Sequence, residues 1–137
     1  MNRRIAFNTI VNRNGKLHGY NTDFLGLRDL ILKSKVKIKD QKVLILGNGG
    51  TSKTAQAVFK SLAAGTIKVV SLEPTGDEIS YQETVELHND AQIILNATPV
   101  GMYPNNVNKY CNVFFQNLIF AIADSGVECT VISPVPI

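Results

Sequence analysis

Cysteine is scarce in the 137 residues: only Cys111 and Cys129 occur, and they share neither a CxxC spacing nor a neighbouring cluster of histidine or carboxylate. A disulfide framework and a zinc site are therefore disfavoured, no metal is expected, and two reduced, partly buried thiols are anticipated. Basic runs with interleaved aromatics are also missing: the formal net charge is +3 with the lysines and arginines scattered, which argues against nucleic acid as principal partner. No stretch approaches the roughly 20 apolar residues that span a bilayer. The basic start, Met1-Asn2-Arg3-Arg4, runs into Ile5-Ala6-Phe7-Asn8-Thr9, which turns polar too early for a signal peptide. A soluble cytoplasmic protein with no membrane partner is the expectation. Internal repeats and low-complexity tracts are absent.

What is present is enough apolar material, 45% of residues, for a single buried core. The segment from Ala6 to Val11 is β-compatible, and Asn14-Gly15 before Lys16 to Tyr20 is a tight-turn dipeptide, so a hairpin is predicted. Thr22 or Asp23 can cap a helix in which Phe24, Leu27, Leu30 and Ile31 recur at helical spacing as far as about Lys33. Beyond a charged connector, residues 35–40, the continuous run Val43-Leu44-Ile45-Leu46 suits a strand buried on both faces of a parallel sheet. Ala55, Val58, Phe59 and Leu62 form the stripe of a second helix, with Gly65 read as its C-terminal cap. Ile67 to Leu72 and Ala91 to Asn96 read as further strands, the latter delivering a loop at its carboxyl end, where open parallel sheets bind ligands. Residues 113–123 fit a helix and 127–132 a strand, before Pro134 and Pro136 stop regular structure.

Between the first buried strand and the second helix lies Gly47-Asn48-Gly49-Gly50-Thr51-Ser52-Lys53, where a phosphate-binding turn belongs. Glycines let the backbone turn sharply and approach a pyrophosphate, and the free amides and dipole of a helix start favour its charge. The alternative is a turn that only packs helix on strand. At the end of the next strand stands Leu72-Glu73; an acid here binds ribose hydroxyls, and no arginine lies beside it to take a 2′-phosphate, so the chemistry leans towards NAD. An exposed loop carboxylate is the competing reading of Glu73.

Three strings coincide in order and interval: Asn8-Thr9-Ile10 with Gly19-Tyr20-Asn21-Thr22-Asp23, then Gly47 to Lys53, then Asn96-Ala97-Thr98-Pro99-Val100-Gly101-Met102. Together, from about Phe7 to about Pro104, they resemble the shikimate dehydrogenase family. The resemblance implies an α/β fold: a Rossmann-like, doubly wound parallel sheet over 35–137, incomplete after about 104 and ending in an irregular or shortened tail. Residues 1–34 would be a remnant of the substrate-binding domain, a hairpin and linking helix.

By the same resemblance the reaction is the NAD(P)-dependent interconversion of 3-dehydroshikimate and shikimate, in aromatic amino-acid biosynthesis. Asn8, Tyr20 and Asp23 would border the substrate, and Asp23, paired with a lysine, would transfer the proton that an alkoxide needs. The cofactor set would comprise Gly47, Asn48, Gly49, Gly50, Thr51, Glu73, Asn96, Thr98, Pro99, Val100 and Met102, with Thr98 and Met102 beside the nicotinamide. An isolated Asp after Thr is otherwise a plain helix cap.

Departures from the pattern carry their own expectations. The lysine motif is not matched before Asn8, where Arg3 and Arg4 stand, so the chain by itself is expected to be inactive. Leu72 occupies the place of the family's arginine for the NADP 2′-phosphate, Phe24 replaces a glycine after Asp23, and the family's later Asp-x-x-Tyr-Asn-Pro and lid strings are not found. Family membership implies NADP, and Leu72 with Glu73 points to NAD. The alternatives are a non-catalytic dinucleotide-binding module and an NAD-preferring quinate/shikimate dehydrogenase. A homodimer, or a substrate domain supplied in trans, would complete the cleft.

Overall fold

Val43, Leu44, Ile45 and Leu46 are each at most 1% exposed, as a strand with no polar alternation demands when both faces of its sheet are covered. In the computed structural model, which describes residues 9–98, 117–118 and 121–132, they form β3 (Lys42–Leu46). It is one of the two inner strands of a four-stranded sheet with β4 (Thr66–Val70), β5 (Ile93–Asn96) and β6 (Thr130–Ile132), in the order β4-β3-β5-β6. Every pairing is parallel, with Val43 opposite Ile67 on one side and Ile93 on the other.

Leu44, Leu46, Val70 and Ile94 pack with Ile79, Tyr81, Leu118 and Ile122, so one face is covered by α3 (Tyr81–Leu87) and by the helical residues 117–118 and 121–125. Val43, Ile45, Ile93 and Leu95 alternate to the other side and are equally buried. The amphipathic α2 (Gly50–Ser61), which buries Ala55, Val58 and Phe59, packs on β3 and β4. This is an α/β Rossmann-like sheet.

The chain divides into two compact units, Met1–Val36 and Lys37–Ile137. In the first, β1 (Thr9–Arg13) and β2 (Lys16–Tyr20) form the antiparallel hairpin, with Asn14 and Gly15 both at positive φ, 53° and 81°, as a type I′ turn requires. Opposite Gly19 and Asn12, Ile10 and Leu17 share one face and are 67% and 72% exposed. Helix α1 spans Thr22–Lys33. Its cap is Asn21, whose Oδ1 accepts from the Phe24 amide at 3.0 Å, not Thr22 or Asp23, which both lie inside the first turn. Of the stripe read from the sequence Ile31 is buried, whereas Leu30 is exposed.

Other differences have simple causes. β4 ends at Val70, short of Leu72, and the chain then folds back to place Ile79 beside it: the Ile79 amide donates to the Val69 carbonyl and its carbonyl accepts from the Ser71 amide, both at 2.9 Å. The short helix α3 escapes a periodicity search, but its Ser80-x-x-Glu83 start is a capping-box string, and Ser80 Oγ accepts from the Glu83 amide. β5 begins at Ile93 rather than Ala91, and the tail strand is only Thr130–Ile132, yet it adds to the sheet beside β5. No described helix is long and apolar enough to cross a membrane. Cys129 is a free thiol whose pKa burial pushes up; Cys111 lies outside the described residues.

Gly65 does not end α2 by a left-handed turn. Ala63 holds that conformation, at φ 60°, and Gly65 is needed because a Cβ there would stand 2.8 Å from the Asp40 carbonyl oxygen. Ala63→Gly should therefore stabilise the protein by up to about 1 kcal/mol, the left-handed strain relieved less the added freedom of the unfolded chain. Gly65→Ala should cost about 1–3 kcal/mol. Urea unfolding of the two variants beside the wild type checks both signs.

Candidate functional site

Chain direction reverses across the sheet at β3: the next strand, β4, lies on one side and β5 on the other. The carboxyl ends of β3 and β5 thus flank the switch point, where open α/β sheets leave a crevice. Gly47 follows β3 and Ala97-Thr98 follow β5, joined by the Ala97 amide donating to the Leu46 carbonyl at 2.9 Å. Gly47 has φ 102°, and a Cβ on it would meet the Ala97 oxygen at 3.0 Å. Its amide donates to the Val70 carbonyl at 2.8 Å, so this one glycine closes the turn against both neighbouring strands.

Gly49 and Gly50 behave otherwise. Among the described residues nothing beyond the turn itself lies within 4 Å of a Cβ built on either, and Asn48, Gly49, Gly50 and Thr51 are all exposed. They form an open cradle at the start of α2, whose N-cap is Gly49 with no side-chain cap and no acid in the first turn. The first amides of the helix and its dipole face that opening, the arrangement that holds an anion. Ser52 in this turn is fully buried, and its Oγ has no hydrogen-bond partner among the described residues; the sequence places it in the turn's string without marking it out for a role.

Asn96 is buried at the end of β5. Its Oδ1 accepts from the Thr98 amide at 3.1 Å and the Thr98 hydroxyl at 2.6 Å, so it braces the loop that carries Thr98 beside Gly47. At the end of β4, Leu72 is 59% exposed and Glu73 is exposed, with its amide donating to Ser71 Oγ at 3.3 Å. Ser71 Oγ also accepts from Asn48 Nδ2 at 3.3 Å, and Glu78 joins this network, accepting from Asn48 Nδ2 at 3.4 Å and from the Thr75 amide at 3.2 Å. Ser71 and Glu78 were not singled out in the sequence, where only a buried polar residue at a strand end could have hinted at them.

The second unit therefore gathers Gly47, Asn48, Gly49, Gly50, Thr51, Asn96 and Thr98 at one end of the sheet, with Glu73 at the end of β4. Tyr20 and Asp23 belong to the first unit, at the end of β2 and in the exposed first turn of α1. Asn8, Pro99, Val100 and Met102 lie outside the described residues. His88 is remote from the cradle: it follows α3 near Lys42, the first residue of β3, which pairs with Asp90 at 2.6 Å. Partial burial, then Lys42 and Lys68, lower its pKa. No group of three or more histidine, cysteine or acidic residues among the described residues is placed to hold a metal ion.

No protein-family model matches the chain. Among curated proteins, a shikimate dehydrogenase (NADP(+)) of Clostridium beijerinckii is 33% identical over 132 residues, covering 81% of this chain and 48% of the relative. That of a Geobacillus species is 38% identical over 122 residues, covering 75% and 43%. The chain thus spans about half the length of the curated relatives it matches. Among solved structures, a chorismate mutase/shikimate 5-dehydrogenase fusion protein from Clostridium acetobutylicum superposes with a TM-score of 0.68 at 28% identity, over 93% of this chain and 54% of that one.

The two kinds of glycine in the turn predict opposite responses to a methyl group. Gly47→Ala should lose about 1–3 kcal/mol of stability to backbone strain and the collision with Ala97. Gly49→Ala, in extended backbone with open space above it, should unfold within about 0.5 kcal/mol of the wild type. Thermal melts of both variants test the distinction.

Proposed function

We infer that this chain, homologous to the shikimate dehydrogenases over most of its length, is the dinucleotide-binding portion of an oxidoreductase that interconverts 3-dehydroshikimate and shikimate. The observation that carries the reading is the open glycine cradle at the switch point, beside a Thr98 loop braced by Asn96. Its residues fit a dinucleotide: the α2 amides suit the pyrophosphate, and the space above Gly49 and Gly50 admits it. Ser52 Oγ, without a partner among the described residues, can donate towards the same turn. When bound, the nicotinamide carries the hydride.

Residues 1–34 belong in this reading to the substrate-binding portion. Asp23 holds or releases the proton of the substrate oxygen, with a lysine as its partner, and Asn8 and Tyr20 border the ring. The rest of the substrate contacts come from the part of the relatives' length that this chain does not span. Pro99, Val100 and Met102, which follow Thr98 in the sequence, border the nicotinamide in this reading, as the motif implies.

The relatives are shikimate dehydrogenases (NADP(+)), but we propose that this chain prefers NAD. A 2′-phosphate is held by arginine, and the stretch from Ser71 to Tyr81 contains no arginine or lysine and three acids, Glu73, Asp77 and Glu78.

Calorimetric titration with NAD, NADP and their reduced forms tests both statements. In a Gly49→Val, Gly50→Val double variant binding should vanish while the melting temperature holds, because valine fills ligand space and meets no neighbour among the described residues; retained affinity would remove the glycine cradle from the site. Leu72→Arg should gain NADP affinity by about 1.5–3 kcal/mol through a charge-assisted contact. A wild type that strongly prefers NADP refutes the NAD assignment.

A further inference from the structure

We propose that Glu78, aligned by Asn48, is the carboxylate that reads the adenosine ribose of the bound dinucleotide and excludes a 2′-phosphate. The inference rests on the dinucleotide reading above and names the residue that sets its selectivity. Position in the sequence points to Glu73, the first acid after β4. The fold points elsewhere.

Glu73 is exposed, and no hydrogen bond to its carboxylate holds it among the described residues; only its amide is tied, to Ser71 Oγ. Glu78 is half-buried and held from two sides. Its neighbour Ile79 is 5% exposed and locked beside β4 by hydrogen bonds to Val69 and from Ser71, both 2.9 Å. That anchor fixes the backbone of Glu78 at the carboxyl end of the sheet. Oε2 then accepts from Asn48 Nδ2 at 3.4 Å and from the Thr75 amide at 3.2 Å, which leaves Oε1 without a protein donor among the described residues.

Covalent connectivity of the ligand decides between the two acids. In a dinucleotide the adenosine ribose is the group next to the pyrophosphate, so its hydroxyls lie one sugar away from the glycine turn. Asn48 is part of that turn, and the Asn48–Glu78 contact places one carboxylate directly against it. A ribose with free 2′- and 3′-hydroxyls offers two donors to a carboxylate, whose lone pairs are not exhausted by two protein donors. A 2′-phosphate offers only acceptors and charge of the same sign, and like charges set against each other cost several-fold to many-fold in affinity.

The test uses adenosine 5′-phosphate and adenosine 2′,5′-bisphosphate, which differ only in the discriminating group, alongside NAD and NADP. Each is titrated calorimetrically into the wild type, Glu78→Gln, Glu73→Gln and the Gly49→Val, Gly50→Val double variant. Glutamine keeps an acceptor for Asn48 and Thr75, so the loop is retained, and circular dichroism melts check this. The expected result is a 2′-phosphate penalty in the wild type that Glu78→Gln reduces roughly ten- to hundredfold, with Glu73→Gln changing it by less than about threefold. Equal weakening of both ligands in Glu78→Gln assigns the residue to loop structure alone and overturns the proposal, as does an unchanged ratio or a ratio governed by Glu73. If the double variant loses nucleotide while the ratio ignores Glu78, the cradle stands and only this inference falls. If the wild type binds no nucleotide, both fall.

Discussion

The fold depends on β3 being paired on both edges and buried on both faces. Its hydrogen bonds run to β4 and β5 in parallel register, and four consecutive side chains from Val43 to Leu46 divide between two helical layers. A strand so placed cannot slip by one residue without sending each side chain to the opposite layer. The position of its carboxyl end is thereby fixed to within one residue, and with it the position of Gly47. The glycine turn inherits its place from the core.

From that end the site is assembled by backbone more than by side chains. Gly47 bonds to the end of β4 and fits against the end of β5, so backbone contacts alone tie the three strand ends together. Side chains then tune what the backbone offers: Asn96 fixes the Thr98 loop, and Asn48 ties the turn to Ser71 and Glu78. The three loops at this end of the sheet are therefore linked by hydrogen bonds that cross from one to the next.

Much of this is legible in the sequence. An uninterrupted apolar run that ends at glycine and precedes an amphipathic stripe is a strong local pattern, because burial on two faces removes alternation and a pyrophosphate turn needs small residues. The hairpin was equally plain, since Asn14-Gly15 suits positive φ twice over. What escaped was decided by contacts distant in sequence. Gly65 looks like a helix cap, but the approach of Asp40 explains it. Asn21 rather than Thr22 or Asp23 is the cap because it keeps extended backbone while its Oδ1 takes the Phe24 amide, and the Asn48–Glu78 contact joins residues whose neighbours in the sequence give no hint of each other. Helix α3 went unread, because seven residues are too few for a helical period to stand out.

The pairing of β3 also has a kinetic side. Val43 meets Ile67 on one edge and Ile93 on the other, and β5 finds β6 some thirty residues further along the chain, at Thr130–Ile132, so no two neighbours in the sheet are joined by a short turn. Each ladder must close a long loop before it gains anything, which raises contact order and slows folding. Throughout that interval the most apolar segment of the protein, Val43 to Leu46, is an uncovered strand, and the nascent chain is then at its most prone to self-association.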